Sequence, residues 1–291
     1  MNLHHLSIFK AVCEEGGISR GAERLMISQP AVSKQLQQLE QSLGVQLMDR
    51  LPSGVRLTQA GELLLDHARR LFAVENEAEQ ALAQLRGLHR GRLAVGASMT
   101  VGVYLLPELL AKFRRSHPSI ELQCEIGNTE HIQQLLLHNV VDVGLTEGFV
   151  ESPDLEAEVF QTDELVAITK PDHPLQRRKN VTLEMFLREP LIVREVGSGT
   201  RAVIERALTQ RGVEMRPAFT LANIEAIKRT VSAGIGVAIV SSLAIQTELA
   251  TGQLAVLHVK NLLVRRPLHR LEIRGKTRSP ATNAFLEKLS A

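Results

Sequence analysis

The sequence predicts an α/β protein in three parts. Three observations carry this: two short amphipathic helices meeting at a tight turn within residues 18–43, a proline-free heptad pattern over 58–90, and alternating short strands and helices beyond. With 291 residues, 44% of them hydrophobic, the chain can build two or three packed cores, which argues against disorder. No apolar run approaches the roughly 20 residues that a membrane span needs. The N-terminus lacks the basic-then-apolar pattern of a secretion signal, so a cytoplasmic protein with no membrane partner is expected.

Leu3, Leu6, Phe9 and Val12 or Cys13 recur at helical spacing, and Gly16-Gly17 end that first helix. The second helix turns Ala22 and Leu25 inward, with Ser19 as its expected cap. Ser28, Gln29 and Pro30 open the third, because a proline in the first turn forfeits no hydrogen bond. One side of it carries Val32, Leu36, Leu39 and Leu43; the other shows Gln29, Ser33, Lys34, Gln37 and Gln38. Such side chains near a helix N-terminus suit a major groove, Gln reading an adenine edge and Lys a guanine edge or a phosphate. A plain amphipathic hairpin is the alternative. Gly44 stops the helix, and 46–57 reads as two extended pieces around Pro52-Ser53-Gly54. Arg50 and Arg56 on this hairpin either lie along phosphates or are ordinary solvated charges.

The run GAERLMISQPAVSKQLQQLEQSLGVQLMDR is very similar to the winged helix-turn-helix signature of the LysR-type transcriptional regulators. The match is dense over roughly the first sixty residues, and the proline-opened recognition helix followed by LGVQLMDR is a family hallmark. Gly21 departs from it, since the family more often has alanine there, and is expected to soften the second helix. The resemblance implies a DNA-binding domain over 1–58, touching double-stranded DNA through Ser19, Arg20, Ser28, Gln29, Pro30, Ser33 and Lys34, with Arg50 and Arg56 on the wing. Charge alone would not have pointed there: residues 1–60 hold six Lys/Arg against five Asp/Glu.

From Thr58 a helix is expected to run to about Arg90, spanning roughly 45–50 Å. Leu57, Leu64, Leu71, Ala78 and Leu85 form one row, and Ala60, Val74, Ala81 and Leu88 another, interrupted by His67. A period of 3.5 held this long argues for a two-helix seam, a buried intrachain helix being the alternative. A homodimer would present two reading heads to a palindromic promoter site. The family uses its linker helix, here 59–90, in this way, and the resemblance favours a homotetramer built as a dimer of dimers.

The pattern breaks at 87–91. Beyond it, strands are expected at 92–96, 120–126, 141–145, 164–169, 191–194, 218–221, 236–240, 254–259 and 268–274. Helices are expected at 101–115, 129–138, 200–211, 224–233, 242–249 and 280–289. Repeated βαβαβ order implies parallel sheets covered on both faces. Two lobes follow, 91–163 with 265–291 and 164–264, joined by two crossing strands. This resembles the two-lobed, periplasmic-binding-protein-like effector domain of the same family, here 91–291, which takes small molecules between its lobes.

Three strand-to-helix junctions are rich in hydroxyls: Ser98-Met99-Thr100, Asn128-Thr129, and Gly197-Ser198-Gly199-Thr200-Arg201. Their side chains and free helix N–H groups suit an anion, although each taken alone reads equally as a helix cap. The resemblance carries Ser98, Thr100, Thr129, Ser198 and Thr200 over as effector contacts. Glu147, after the third strand, is placed where it could face the same cleft, and there it would oppose a highly charged anion unless protonated or paired. REVGSGTR, ASMTVGVYLLPELL and GNTE look most like the branch regulating sulfur assimilation or carbon fixation. That branch implies a small oxyanion or phosphorylated metabolite as effector.

No cofactor or metal is expected. His131 and His138 are too far apart for a ligand set, and Cys13 and Cys124 read as small core residues. A single cysteine in the effector domain rules out an intradomain disulfide switch. The basic run 260–278, seven Lys/Arg against one Glu, reads as a solvated face. An enzyme would need a nucleophile or phosphate loop, yet GxSxG, the P-loop lysine and GxGxxG are missing. A transporter's solute-binding module would leave residues 1–90 unexplained. The sequence therefore points to a ligand-responsive transcriptional regulator and not an enzyme.

Overall fold

The computed structural model describes residues 2–51, 54–85 and 91–289, without the side chains of 50, 76, 77 and 79–85. The chain divides into two compact units: Met1–Leu88 with His138–Val140, and His89–Leu137 with Val141–Ala291.

In the first unit, α1 (Leu3–Glu14), α2 (Ile18–Leu25) and α3 (Gln29–Leu43) precede a hairpin of β1 (Met48–Leu51) and β2 (Gly54–Leu57), then α4 (Gln59–Leu85). Leu6, Phe9 and Val12 of α1 bury against Ala22 of α2 and against Val32, Leu36 and Leu39 of α3. The spacing of these residues thus forms one three-helix core. Gly21 is more than a soft spot in α2. A methyl there would come within 2.7 Å of the Val12 side chain and 3.0 Å of its Cα, so its absence lets α1 and α2 touch. Glu40 accepts the Leu47 N–H at 2.8 Å and ties α3 to the hairpin. Thr58 caps α4, accepting the Gly61 N–H at 3.1 Å. The turn residues Pro52 and Ser53 and the break at 87–90 lie outside the described residues.

The heptad rows divide in a way their period does not reveal. Leu57, Ala60, Leu64 and Leu71 pack against the core of their own chain, beside fully covered Leu65 and Ala68. The first heptads therefore do intrachain work, because the start of α4 roofs a small three-helix core. Leu63 (63% exposed), Val74 (64%), His67 and Ala78 remain on the outward side. The seam positions Ala81, Leu85 and Leu88 lie outside the described side chains.

The second unit begins with β3 (Gly91–Ser98), α5 (Met99–Tyr104), α6 (Leu106–Ser116), β4 (Ile120–Gly127), α7 (Thr129–Leu137) and β5 (Val143–Glu147). The single helix expected at 101–115 is two, since Pro107 cannot continue α5 and instead sits in the first turn of α6. β6 (Leu155–Thr169) is followed by a 3₁₀ turn (Pro174–Arg177), α8 (Leu183–Leu187), β7 (Leu191–Arg194), α9 (Gly199–Thr209), β8 (Phe219–Leu221), α10 (Ile224–Ser232) and β9 (Val237–Ser241). A second 3₁₀ turn (Ser242–Ile245), α11 (Gln246–Ala250), β10 (Ala255–Leu257), β11 (Val264–Ile273) and α12 (Pro280–Leu289) complete it.

Nine strands form one mixed sheet in the order β4-β3-β5-β11-β6-β9-β7-β8, with β10 on β6. β4, β3 and β5 are parallel, as are β9, β7 and β8. Between these groups β6 and β11 run antiparallel to each other, from Leu155↔Ile273 to Leu165↔Val264. They are the two crossing strands, and β6 begins nine residues earlier than the sequence suggested. Its first half carries exposed Ala157 and Val159 among glutamates, which hides the apolar alternation of a strand. The register slips where Leu268 faces Gln161 and His269 faces Val159, leaving Phe160 unopposed. A bulge of this kind bends and twists the pair between the lobes. Each lobe keeps its own core, Leu93, Val95, Phe113 and Phe285 in one, Phe186, Leu191, Leu208 and Val237 in the other. No described helix is long and apolar enough to cross a membrane. Cys13 is half-buried, and burial pushes its thiol up to about 12, whereas Cys124 stands exposed on β4 and is no core residue.

Leu36→Ala tests the division into units. Emptying this buried site should cost the first unit about 2–5 kcal/mol, seen in calorimetry as an earlier first transition. The transition of the α/β unit should hold its temperature; a joint downward shift would mean one cooperative body.

Candidate functional site

The outward surface of α3 presents Gln29, Pro30, Lys34, Gln37 and Gln38 to solvent, with Ser33 half-buried. Ser28 is the N-cap, its Oγ accepting the Ala31 N–H at 3.4 Å. Ser19, by contrast, does not cap α2. The cap position is Gly17, without a side-chain bond, so Ser19 is an exposed residue of the first turn. Arg20 is exposed too, and its guanidinium lies against the Gly16-Gly17 turn. On the hairpin Arg56 is exposed but paired with Asp49 at 3.1 Å, so it is not the free cation expected. Exposed pairs of this kind contribute roughly 0–1 kcal/mol, little enough for a phosphate to outbid. Arg50 faces Val55 across the hairpin; its side chain lies outside the described ones. Sequence reading passed over Met26, which holds a left-handed φ of 54° in the turn before α3 and is 91% exposed.

In the α/β unit, the strand ends bring the expected hydroxyls together. Ser98, Thr100, Thr129, Glu147, Ser198 and Thr200 are all buried at one place between the lobes. They do not form an empty cradle, because Ser98, Thr129, Glu147 and Thr200 are bonded to one another and Thr100 to Arg266. Ser98 Oγ donates to Glu147 Oε2, and Thr200 Oγ1 donates to Glu147 Oε1 at 3.3 Å. Thr129 Oγ1 donates to the Glu147 carbonyl at 2.8 Å and accepts the Gly199 N–H at 3.2 Å.

At the centre is Arg266, the largest fully buried side chain. Its Nε donates to Asp163 at 2.8 Å, Nη1 to Thr200 at 2.7 Å and Nη2 to Thr100 at 3.4 Å. Nη1 also lies 3.6 Å from Glu147, which answers how that carboxylate can be buried: it is paired. Asp163 further accepts from Ser241 at 2.9 Å. Arg266 was read as part of a solvated basic run. The available signal was alternation, since Val264, Arg266 and Leu268 share the inward phase of β11.

Other expected contacts have structural duties. Asn128 Oδ1 caps α7 through the His131 N–H at 2.9 Å. Met99 is half-buried against the core of the other lobe. Arg201 is held by Glu205 at 3.0 Å and by the Arg194 carbonyl at 3.2 Å. The glycines permit close approach of the opposite lobe. Gly148, at φ +95°, faces Gly199 so closely that a methyl on Gly148 would lie 2.6 Å from the Gly199 Cα, and one on Gly199 would overlap the Glu147 carbonyl. With Glu130 N–H donating to the Gly197 carbonyl at 3.1 Å, the lobes are closed on each other.

A second clasp crosses the lobes at buried Lys228, which reaches Glu225 at 2.5 Å, Glu248 at 2.7 Å and the Tyr104 hydroxyl at 3.3 Å. Burial alone would lower the Lys228 pKa, but hydrogen bonds to Glu225, Glu248 and Tyr104 outweigh it and raise the value above the ordinary lysine range. Above the Glu147–Arg266 set lies a groove of about 640 Å³ between α7 and α9, lined by Gln133, Phe149, Gly197, Ser198 and Arg201 among others. Among the described residues no group of His, Cys, Asp and Glu could hold a metal.

Comparison with known proteins agrees with both halves. Residues 3–62 match the bacterial regulatory helix-turn-helix protein, lysR family, and residues 86–291 match the LysR substrate binding domain. The chain is 37% identical to the RuBisCO operon transcriptional regulator of Allochromatium vinosum over 287 residues, 99% of this chain and 95% of that protein. Among solved structures it resembles the CcmR regulatory domain of Synechocystis PCC6803 in complex with 2-PG (30% identity, TM-score 0.65, 69% of this chain and 96% of that one). It also resembles full-length CbnR complexed with its target DNA (26% identity, TM-score 0.71, 100% of both chains). A DNA-reading head followed by a two-lobed small-molecule domain, on a chain this similar throughout to named regulators, identifies a regulator and not an enzyme: the chain belongs to the LysR family of bacterial helix-turn-helix transcriptional regulators.

Proposed function

We propose that residues 1–58 read a palindromic promoter site, that 59–90 pair two copies, and that 91–291 sense a small anionic metabolite, oxyanion or phosphorylated, between lobes 91–163 with 265–291 and 164–264. The observation that carries the anion reading is Glu147. Two hydroxyls and a guanidinium converge on its buried carboxylate, which is the donor set a bound anion requires. The carboxylate of the chain thus fills the anion position, and an effector entering by the α7–α9 groove takes over its donors. Ser98, Thr100, Thr129, Ser198 and Thr200 border that position. The 2-PG complex of the CcmR regulatory domain and the RuBisCO regulators among the relatives favour a phosphorylated metabolite of carbon fixation over sulfate.

In this reading Gln29, Ser33 and Lys34 supply base contacts, helped by Ser28 and Pro30, which set the start of α3. Ser19, Arg20, Arg50 and Arg56 supply orientation along the phosphates. Two copies associate through the outward surface of α4 around Leu63 and Val74, and two such dimers make a tetramer. Effector exchange for Glu147 shifts the balance between lobe arrangements and so the spacing of the heads.

Two measurements test this. Gln29→Ala should weaken a specific promoter fragment by about 1–3 kcal/mol per symmetric contact, leaving random duplex affinity unchanged in fluorescence anisotropy; an unaltered preference removes α3 from its role. Thr200→Val withdraws a donor from the anion position and an acceptor from Arg266. Calorimetric titration with 2-PG, inorganic phosphate and sulfate should then show at least tenfold weaker binding of whichever binds the unsubstituted protein, with promoter affinity retained. Isotherms matching the unsubstituted protein would place the effector elsewhere.

A further inference from the structure

A second cavity of about 580 Å³ opens on the other side of Phe149. Its walls come from both lobes: the Gly148–Val150 loop, Ala157 and β11 from Arg265 on from one, the second half of α9 from the other. Arg206, Arg211, Arg265 and the already paired Arg266 line it with His269, and no lining residue is acidic. That balance is unusual on a chain of net charge +2 with 32 Asp and Glu.

The cations are unequally engaged. Arg211 donates to the Asn261 carbonyl at 3.1 Å and the Ala207 carbonyl at 2.7 Å, which fixes its position without neutralising it. Arg265 shares an exposed 3.4 Å contact with Glu164, a weak pair. Arg206 has neither ion pair nor hydrogen bond among the described residues; its guanidinium lies 4.8 Å over the Phe149 ring. His269 leaves Nδ1 buried without a hydrogen-bond partner, and burial lowers its pKa, so the ring is neutral at pH 7.

We infer that this cavity is a second ligand site, for a small metabolite carrying two or more anionic groups. Its arginines supply charge, His269 a neutral hydrogen-bonding edge, and Phe149 a flat apolar wall. The site opens apart from the α7–α9 groove, with which it shares Phe149, and it meets the effector position at Arg266. Because both lobes contribute to it, occupancy favours their closed arrangement, and by linkage the factor by which an anion held here changes binding in the cleft equals the factor by which the cleft ligand changes binding here.

Isothermal titration of the full chain with citrate and with pyrophosphate tests the site. Unsubstituted protein should bind at least one of them, more weakly as salt rises. Arg206→Gln with Arg211→Gln should weaken that binding at least tenfold without moving the melting temperature, and Arg265→Gln should weaken it to a lesser degree. Ser98→Ala, which removes a Glu147 donor within one lobe and does not touch Arg266, should leave it within twofold, which separates this site from the cleft. No binding of either anion, or binding that survives the double substitution, overturns the proposal. So does a double variant that loses promoter affinity but keeps its citrate isotherm, since the arginines would then serve DNA phosphates.

Discussion

A guanidinium with no access to water must find partners for its N–H groups, and Arg266 finds them on four elements. Asp163 lies on β6, Thr100 at the start of α5, Glu147 at the end of β5 and Thr200 at the start of α9. Thr100 and Glu147 belong to one lobe, Thr200 to the other, and Asp163 to a crossing strand. Pulling the lobes apart therefore takes the Thr200 acceptor from Arg266 and the Thr200 donor from Glu147. Breaking a buried pair by removing one partner costs about 3–5 kcal/mol, far more than a surface pair returns. A cation so placed adds little to net stability, and in the function proposed above it makes the cleft two-state, either closed on its own carboxylate or remade around another anion.

Everything else in the α/β unit serves that choice. The bulge at Phe160 bends the strands that carry Asp163 and Arg266 from lobe to lobe. Gly148 and Gly199 let the two backbones meet, and the Lys228–Tyr104 contact holds the lobes a second time at another point. Phe149 and α9 each border both cavities, so a ligand in either bears on the same moving parts. A ligand can shift such an equilibrium only by its difference in affinity for the two arrangements. In the function proposed above, competition with Glu147 supplies that difference, because the hydroxyls and the guanidinium that would hold an anion are engaged by Glu147.

How far all this could be read beforehand depended on the distance over which each feature is encoded. The head was legible because its signals are local: Ser28 and Pro30 start a helix, Gly44 ends one, and Val32, Leu36 and Leu39 name its inner side. The strand-to-helix junctions were legible for the same reason, down to Thr129, Glu147 and Thr200 sharing one place. What those residues bond to was not. Arg266 lies 66 residues from Thr200 and 103 from Asp163, and nothing near it in the chain marks it as buried except the alternation of β11. Leu64 and Leu71 satisfy a heptad as well as any seam does, and only the three-helix core beside them shows that they are already covered. Ser19 misled because Gly17, with no side chain to cap, took the position a hydroxyl usually holds.

Amide hydrogen exchange at two cross-lobe bonds, Gly199 N–H to Thr129 and Glu130 N–H to Gly197, reports opening of the cleft directly. In Arg266→Met their protection should fall by about two to four orders of magnitude, the equivalent of about 3–5 kcal/mol, while amides in the middle of β3 and β9 keep theirs. Unchanged protection at Gly199 and Glu130 would mean that the lobes are held shut by something other than the buried guanidinium.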